Sequence, residues 1–248
     1  MAAPVLILDE TDSTNAEARR RAEAGEVGPL WIAARRQTAG RGRRGRQWGS
    51  DSGNLFTTLL LLTQKSPAEA AQLTFAASLA VADLLDRYVP SALVTIKWPN
   101  DVLLDGRKTS GILIESGPAP SGGLWLAVGI GVNLNQTPGD TERPATCIAE
   151  HLANGVASAP TVDEAAKALA ETFGVWLDRW MTLGFQPVLD AWIARTPGLH
   201  GPCTARLTNE TLTGTADGVE ADGSLRLKLS DGSLRVISAG DVFFGEAA

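Results

Sequence analysis

The amino-acid sequence predicts an α+β chain in two parts: a large region of mixed helices and strands, then a small all-β barrel. Three observations predict it. The 248 residues are 44% apolar and 20% charged, with a mean hydropathy of +0.00. That is the composition of an ordinary globular protein, and the length is enough to bury a core without staples. Between Val5 and Thr196, helix-like segments rich in strong helix formers are interspersed with short apolar runs that read as strands. From Gly201 onward the character changes to short strands punctuated by Asn209, Gly214, Asp222-Gly223 and Asp231-Gly232, about the spacing of a small barrel. The boundary is placed near His200, giving regions 1–199 and 200–248.

The elements follow in order. Val5 to Leu8 is a short apolar strand. Thr14 and Glu17 have the spacing of a capping box, Ala16 to Ala24 is rich in Ala, Glu and Arg, and Gly25 stops that helix. Leu30 to Ala34 reads as a strand. Arg35 to Gly53 is dense in Gly and Arg, has no apolar period, and is expected to be a loop. Asn54 to Leu62 is a strand, and Ala68 to Tyr88 a long amphipathic helix. Leu93 to Trp98 and Asp101 to Leu104 are strands, with Asp105-Gly106 as a tight hairpin turn. Ser110 to Glu115 and Leu124 to Leu134 continue the sheet around a loop at Gly117 to Gly123. Ala145 to Ala153 is expected to be a short helix. Val162 to Thr196 is helical, broken near Gly184 and Pro187.

Bulk properties exclude several classes. A net charge of −6 and a pI near 5.0 argue against a general nucleic-acid binder, so any basic patch is local. Cys147 and Cys203 form neither a metal-type spacing nor a disulfide framework, and read as buried thiols in a reducing compartment. Met1 to Glu10 has no basic n-region. The longest apolar run, around Leu59 to Leu62, is short of the ~20 residues a membrane span needs, so a cytoplasmic protein is expected. His151 and His200 are the only histidines, and no Ser–His or Cys–His arrangement points to a covalent intermediate.

The most unusual segment is Gly40-Arg41-Gly42-Arg43-Arg44-Gly45-Arg46. With Arg35 and Arg36 it gathers six arginines in an acidic protein. Such a loop should be unsettled alone and should order around an anion, because guanidinium forks grip phosphate oxygens and glycines let backbone N–H groups approach. It lacks the Lys-Ser/Thr of a P-loop, and its Gly-x-Gly-x-x-Gly opens no helix. A basic nucleic-acid loop and a solvated charge run remain the alternatives.

Three further segments accompany it. Lys97-Trp98-Pro99-Asn100-Asp101 brings a cation, an aromatic, an amide and a carboxylate to one strand end, or is a structural Pro-Asn-Asp turn. Lys108 lies at a strand start beside Asn100 and Asp101, where an ammonium can stabilise developing anionic charge. Gly129-Ile130-Gly131-Val132-Asn133 alternates glycines on one face, which marks either close approach by a ligand or a tight sheet crossing.

Together and in this order, Asp12-Ser13-Thr14-Asn15, Gln37 to Arg46 with Trp48, Lys97 to Asp101, Lys108 with Gly111-Ile112-Leu113, and Gly129 to Asn133 resemble the biotin protein ligase family. The resemblance covers nearly the whole chain. It implies a mixed-sheet catalytic domain of the biotin/lipoate ligase type followed by an SH3-like β-barrel. It implies that Ser13, Thr14, Asn15 and Gln37 hold the biotin head group. Arg41, Gly42 and Arg43 belong to a loop over biotin and the phosphates, with Arg46 also on the nucleotide. Trp48 stacks on adenine, with Asn100 and Asn133 nearby. Lys97 and Lys108 contact the activated carboxyl–phosphate, and Asp101 orients or deprotonates the incoming lysine.

The implied reaction joins biotin to ATP, with Mg²⁺ carried by the nucleotide and water and no protein metal site. The biotinyl group then passes to a lysine of the biotin carboxyl carrier protein or domain of acetyl-CoA carboxylase. Two departures from the family pattern stand out: Ser50-Asp51 where Ser-Pro is common, and Thr109-Ser110 where an apolar and a small residue are usual. The catalytic pattern begins too early for a preceding three-helix DNA-binding domain, so no DNA partner is expected. Sheet edges of such a domain can support a homodimer. The rivals are a lipoate–protein ligase, a non-catalytic nucleic-acid-binding module, and a pseudoenzyme that binds biotin without ligating it.

Overall fold

The computed structural model describes residues 3–49, 52–139 and 144–245. A seven-stranded mixed sheet dominates it: β1 (Val5–Thr11), β2 (Leu30–Gln37), β3 (Leu55–Thr63), β4 (Val94–Lys97), β5 (Asp101–Leu104), β6 (Arg107–Pro118) and β7 (Leu124–Val132), in the order β1-β2-β3-β7-β6-β5-β4. Only β1 and β2 are parallel.

Alternation along the central strands sorts the two faces. In β3, Leu55, Leu59 and Leu61 point into the main core, while Leu60 points to the opposite face. In β7, Leu126, Val128, Ile130 and Val132 join the main core, and Trp125 and Ala127 the other face. Strands buried on both sides read as unbroken apolar runs, which is why Leu59 to Leu62 looked like one.

The main core lies under helices α3 (Leu73–Leu85), α4 (Val162–Leu183) and α5 (Gln186–Ala194). The opposite face is covered by α1 (Thr14–Glu23), through Ala18 and Ala22 against Ile32, Leu60 and Trp125. This helix is short, so the sheet beyond it stays uncovered, and that gap is the site.

Four expectations are corrected. Thr14 and Glu17 form no capping box: Ser13 is the N-cap and makes no side-chain cap bond, because the Thr14 hydroxyl is spent on Gln37 and Thr58. The helix expected over Ala68 to Tyr88 is split into α2 (Pro67–Ala71), capped by a Ser66–Glu69 box, and α3. It is not amphipathic either; nearly every α3 side chain is buried between sheet and α4. By length and composition Pro67–Leu85 could cross a membrane, with hydropathy 1.3, yet 67% of that window is buried inside this fold. Ala145 to Ala153 is no helix beyond a single 3₁₀ turn at Ile148–Glu150, because its backbone is drawn onto Lys108 and Asn133 instead. Finally, Gly117 and Pro118 belong to β6 and pair with Trp125 and Leu124.

After α5 the chain enters a five-stranded antiparallel sheet of β8 (Pro202–Arg206), β9 (Thr211–Val219), β10 (Leu225–Leu229), β11 (Leu234–Ile237) and β12 (Asp241–Phe244), ordered β11-β10-β9-β8-β12. Its inward residues Cys203, Ala205, Ala216, Leu225, Leu227 and Val242 run continuously into the main core. Trp98 donates its indole N–H to Gly223 O at 2.9 Å, and the Phe75 ring abuts Gly223. Both cysteines are free and buried, and burial pushes the Cys203 thiol up to about 11.

Candidate active site

The uncovered part of the sheet forms the floor of a cavity of about 460 Å³, within the size range of small-molecule sites. The floor is made by the strand glycines. A Cβ at Gly129 would collide with the Asn15 side chain. One at Gly131 or Gly111 would come within 2.5 or 2.8 Å of the Trp48 ring. The alternating glycines therefore serve close approach, and the groups they admit are Asn15 and the Trp48 indole. Ser13, Thr14, Asn15, Gln37, Arg41, Gly42, Arg43, Arg46, Trp48, Asn100, Asp101, Lys108 and Asn133 all line this one cavity.

One end is neutral. The N-terminus of α1 and the end of β2 place Ser13, Thr14, Asn15 and Gln37 together, all buried. Thr14 donates its backbone N–H and its hydroxyl to Gln37 Oε1 at 2.8 and 3.2 Å. The buried Thr58 hydroxyl lies 2.8 Å from Thr14 Oγ1 and 2.7 Å from Asn15 Oδ1. Asn15 spends its amide hydrogens on Leu113 O and Glu115 Oε2, at 3.2 and 2.8 Å. Such a network fixes which way each amide points, and thereby which hydrogen-bonding group faces the cavity.

The other end is charged. The Lys108 ammonium sits 2.6 Å from Asp101 Oδ1 and 5.4 Å over the Trp48 ring. Its backbone is bracketed by Pro144 and Thr146: Lys108 N donates to Pro144 O, and Thr146 N to Lys108 O. Arg43 donates to Asn100 Oδ1 at 2.9 Å, and Asn100 donates to Ile112 O at 2.7 Å. Burial of the Arg43 guanidinium pulls its pKa below the ordinary arginine value. Arg44 and Arg46 both reach Asp241 Oδ2 on β12, at 3.1 and 2.8 Å, and Arg41 lies 3.4 Å from Glu115. Asn133 lines the cavity and donates to Thr146 O, while its buried Oδ1 has no partner among the described residues.

The arginine loop is tied back onto the chain at several points. Gly42 N donates to Arg46 O, Trp48 N to Gly40 O, and Arg41 bridges Gln47, while Glu115 and Asp241 supply countercharge. Two of the six arginines stand apart. Arg35 and Arg36 lie on β2 and pair with Asp163 and Glu10. Lys97 also lies outside the cavity lining, its ammonium 5.1 Å over the Phe243 ring. The Ser50-Asp51 departure lies outside the described residues. Thr109 and Ser110 are fully buried, and neither hydroxyl finds a partner among the described residues.

Sequence reasoning missed Thr58, Glu115 and Asp241. Thr58 and Glu115 sit inside apolar strand runs, and only the two-residue alternation that puts them on the glycine face could have flagged them. Asp241 comes from the other sheet and carries no local signal.

Comparison with known proteins agrees with this architecture. Residues 8–135 match the biotin/lipoate A/B protein ligase family, and residues 202–245 match the biotin protein ligase C-terminal domain. The chain is 44% identical to a biotin–acetyl-CoA-carboxylase ligase of Paracoccus denitrificans, over 96% of this chain and 100% of that one. It is 32% identical to the bifunctional ligase/repressor BirA of Bacillus subtilis, over 95% of this chain and 72% of the repressor. Among solved structures, the Aquifex aeolicus biotin protein ligase in complex with biotin and ATP superposes with a TM-score of 0.80, at 25% identity over 98% of this chain and 99% of the other. The family model spans half of the chain and the Paracoccus ligase is matched over nearly the whole of it, so the chain belongs to the biotin protein ligase family.

Proposed function

We propose that this chain is an ATP-dependent biotin–protein ligase that makes biotinyl-5′-AMP and pyrophosphate in the cavity, then passes the biotinyl group to a lysine of a biotin carboxyl carrier protein. The division of the cavity into a neutral hydrogen-bonding end and a cationic end carries this reading. A ureido ring is uncharged and rich in donors and acceptors, as the Ser13, Thr14, Asn15 and Gln37 end is. A carboxylate approaching a triphosphate needs the opposite environment.

Biotin's carboxylate is a poor electrophile and becomes reactive as a mixed anhydride. To form it, a carboxylate oxygen attacks the α-phosphorus and pyrophosphate leaves. Two anions must meet, so the enzyme's contribution is positioning and charge neutralisation. Lys108, held by Asp101 at 2.6 Å, and Arg43, held by Asn100 at 2.9 Å, supply fixed cationic donors where that charge develops. Arg41 and Arg46 close the loop on either side. Trp48 offers a ring face for the base, with Asn100 and Asn133 beside it. In the second step the acceptor lysine loses a proton and attacks the carbonyl, releasing AMP. Asp101 lies within reach of both tasks, orienting Lys108 and receiving the proton.

Mg²⁺ belongs to the substrate in this reading. The ion would travel with the triphosphate and its waters, as Mg²⁺ keeps several waters and binds mainly through phosphates. Units 1–199 and 200–248, a cytoplasmic location and a homodimer joined through a free sheet edge such as β1 complete the proposal.

The deciding experiment is ATP–pyrophosphate exchange dependent on biotin. Exchange with biotin, little with lipoate and none without either is the expected result. Lipoate-driven exchange would move the chain to the sister activity.

A further inference from the structure

Outside the cavity, one carboxylate gathers an unusual number of donors. The Glu150 side chain, in the 3₁₀ turn after Cys147, accepts from the Thr137 hydroxyl at Oε1 and from the Thr146 hydroxyl at Oε2, the latter at 2.9 Å. Arg107 Nη1 adds a bond at 3.3 Å, and the Cys147 thiol lies at 3.6 Å. These bonds hold its carboxyl below the usual range, with the Thr137 hydroxyl the largest cause.

The two threonines flank the walls of the nucleotide end. Thr137 precedes Pro138, which lines the cavity and packs over Gly49, next to Trp48. Thr146 follows Ala145, which lines the cavity too. The Thr146 backbone does more: its N–H donates to Lys108 O, and its carbonyl accepts from Asn133 Nδ2. His151 caps the same hydroxyl, its Nε2 lying 2.8 Å from Thr146 Oγ1 and 2.9 Å from Arg107 Nη2.

We propose that Glu150 is a positioning residue for nucleotide binding: it ties the Pro138 wall and the Ala145–Thr146 wall together and so sets the Asn133 amide. The inference rests on the reading of this end of the cavity as the ATP end. Glu150 does not line the cavity and touches no reacting group. It acts through Thr137 and Thr146, and nothing comparable links it to the neutral end.

The test is steady-state biotin-dependent ATP–pyrophosphate exchange, with each substrate varied in turn, on the wild-type chain and on Glu150→Gln. The amide keeps the size but places a donor where a hydroxyl or guanidinium now donates. The expected result is a KM for ATP raised about tenfold, with the KM for biotin and kcat within about twofold. Thr137→Val, an exposed change that cuts only the far anchor, should give a smaller rise of the same kind, and none when added to Glu150→Gln. A general structural role would instead lower kcat and move both KM values together. A normal wild-type assay with an unmoved KM for ATP in both variants overturns the proposal alone. A wild-type chain whose exchange needs no biotin, or that exchanges nothing, overturns the ATP-end reading and this proposal with it.

Discussion

The two ends of the cavity are built from different materials. The neutral end uses short side chains on regular elements: Thr14 and Asn15 on α1, Gln37 on β2, Thr58 on β3, each buried and bonded to the next. The charged end uses long side chains, half-exposed arginines on a loop together with Lys108 on β6, and borrows Asp241 from a separate sheet. Short side chains on rigid elements lose little entropy on binding and fix a pattern of donors and acceptors. Long guanidinium arms cost more entropy to hold still, yet can regroup as charge changes during reaction. Recognition and chemistry are thereby assigned to opposite ends.

That contrast can be broken. The largest effect is expected from Lys108→Ala, which removes a cation at the charged end. Single-turnover formation of biotinyl-adenylate should slow about a thousandfold, the loss typical of one preorganised donor. An unchanged rate would show that the chemistry lies elsewhere. Next is Gly129→Ala at the neutral end, whose methyl drives Asn15 off its bonds to Thr58 and Glu115. The KM for biotin should rise about thirtyfold with the KM for ATP unmoved, since a buried amide left unsatisfied costs roughly 1–3 kcal/mol. Equal changes in both would erase the division. Asp241→Asn weakens the hold on Arg44 and Arg46, so trypsin should cut within residues 41–46 about tenfold faster. Added salt should narrow that difference, because these half-exposed pairs are screened. The smallest effect tests the buried sheet beside the cavity. Thr109→Val replaces a buried, unpartnered hydroxyl with a methyl and should raise stability by about 1 kcal/mol, read as a Tm higher by a few degrees. A lower Tm would mean that the hydroxyl is satisfied after all.

How much of this was legible follows the same line. The centres of the strands, the turn at Asp105-Gly106 and the break at Gly184 carry local signals and were read correctly, while the ends of β2 and β6 run further than expected. Motif residues such as Lys108 and Asn100 were legible because proline, glycine and charge cluster around them. What failed was nonlocal. The Ala145 segment has helix-forming residues, but its backbone hydrogen bonds go to Lys108 and Asn133, and tertiary pairing overrode propensity. The stretch from Ala68 to Tyr88 looked amphipathic until α4 covered its outer face. Lys97 sits in the densest motif, yet its ammonium lies over Phe243 of the terminal sheet. Asp241 is one acid among many until the fold sets it beside two arginines.

The seam where Trp98 donates to Gly223 and Phe75 abuts the same turn has a further consequence. Ending the chain before Pro202 would strand an indole N–H in an apolar setting, wet an aromatic ring from the main core, and strip two guanidinium groups of their countercharge. The terminal sheet is therefore a keystone and not a trailing accessory. Catalysis and folding share one set of contacts there, so a lesion in this small module would cost the enzyme both at once.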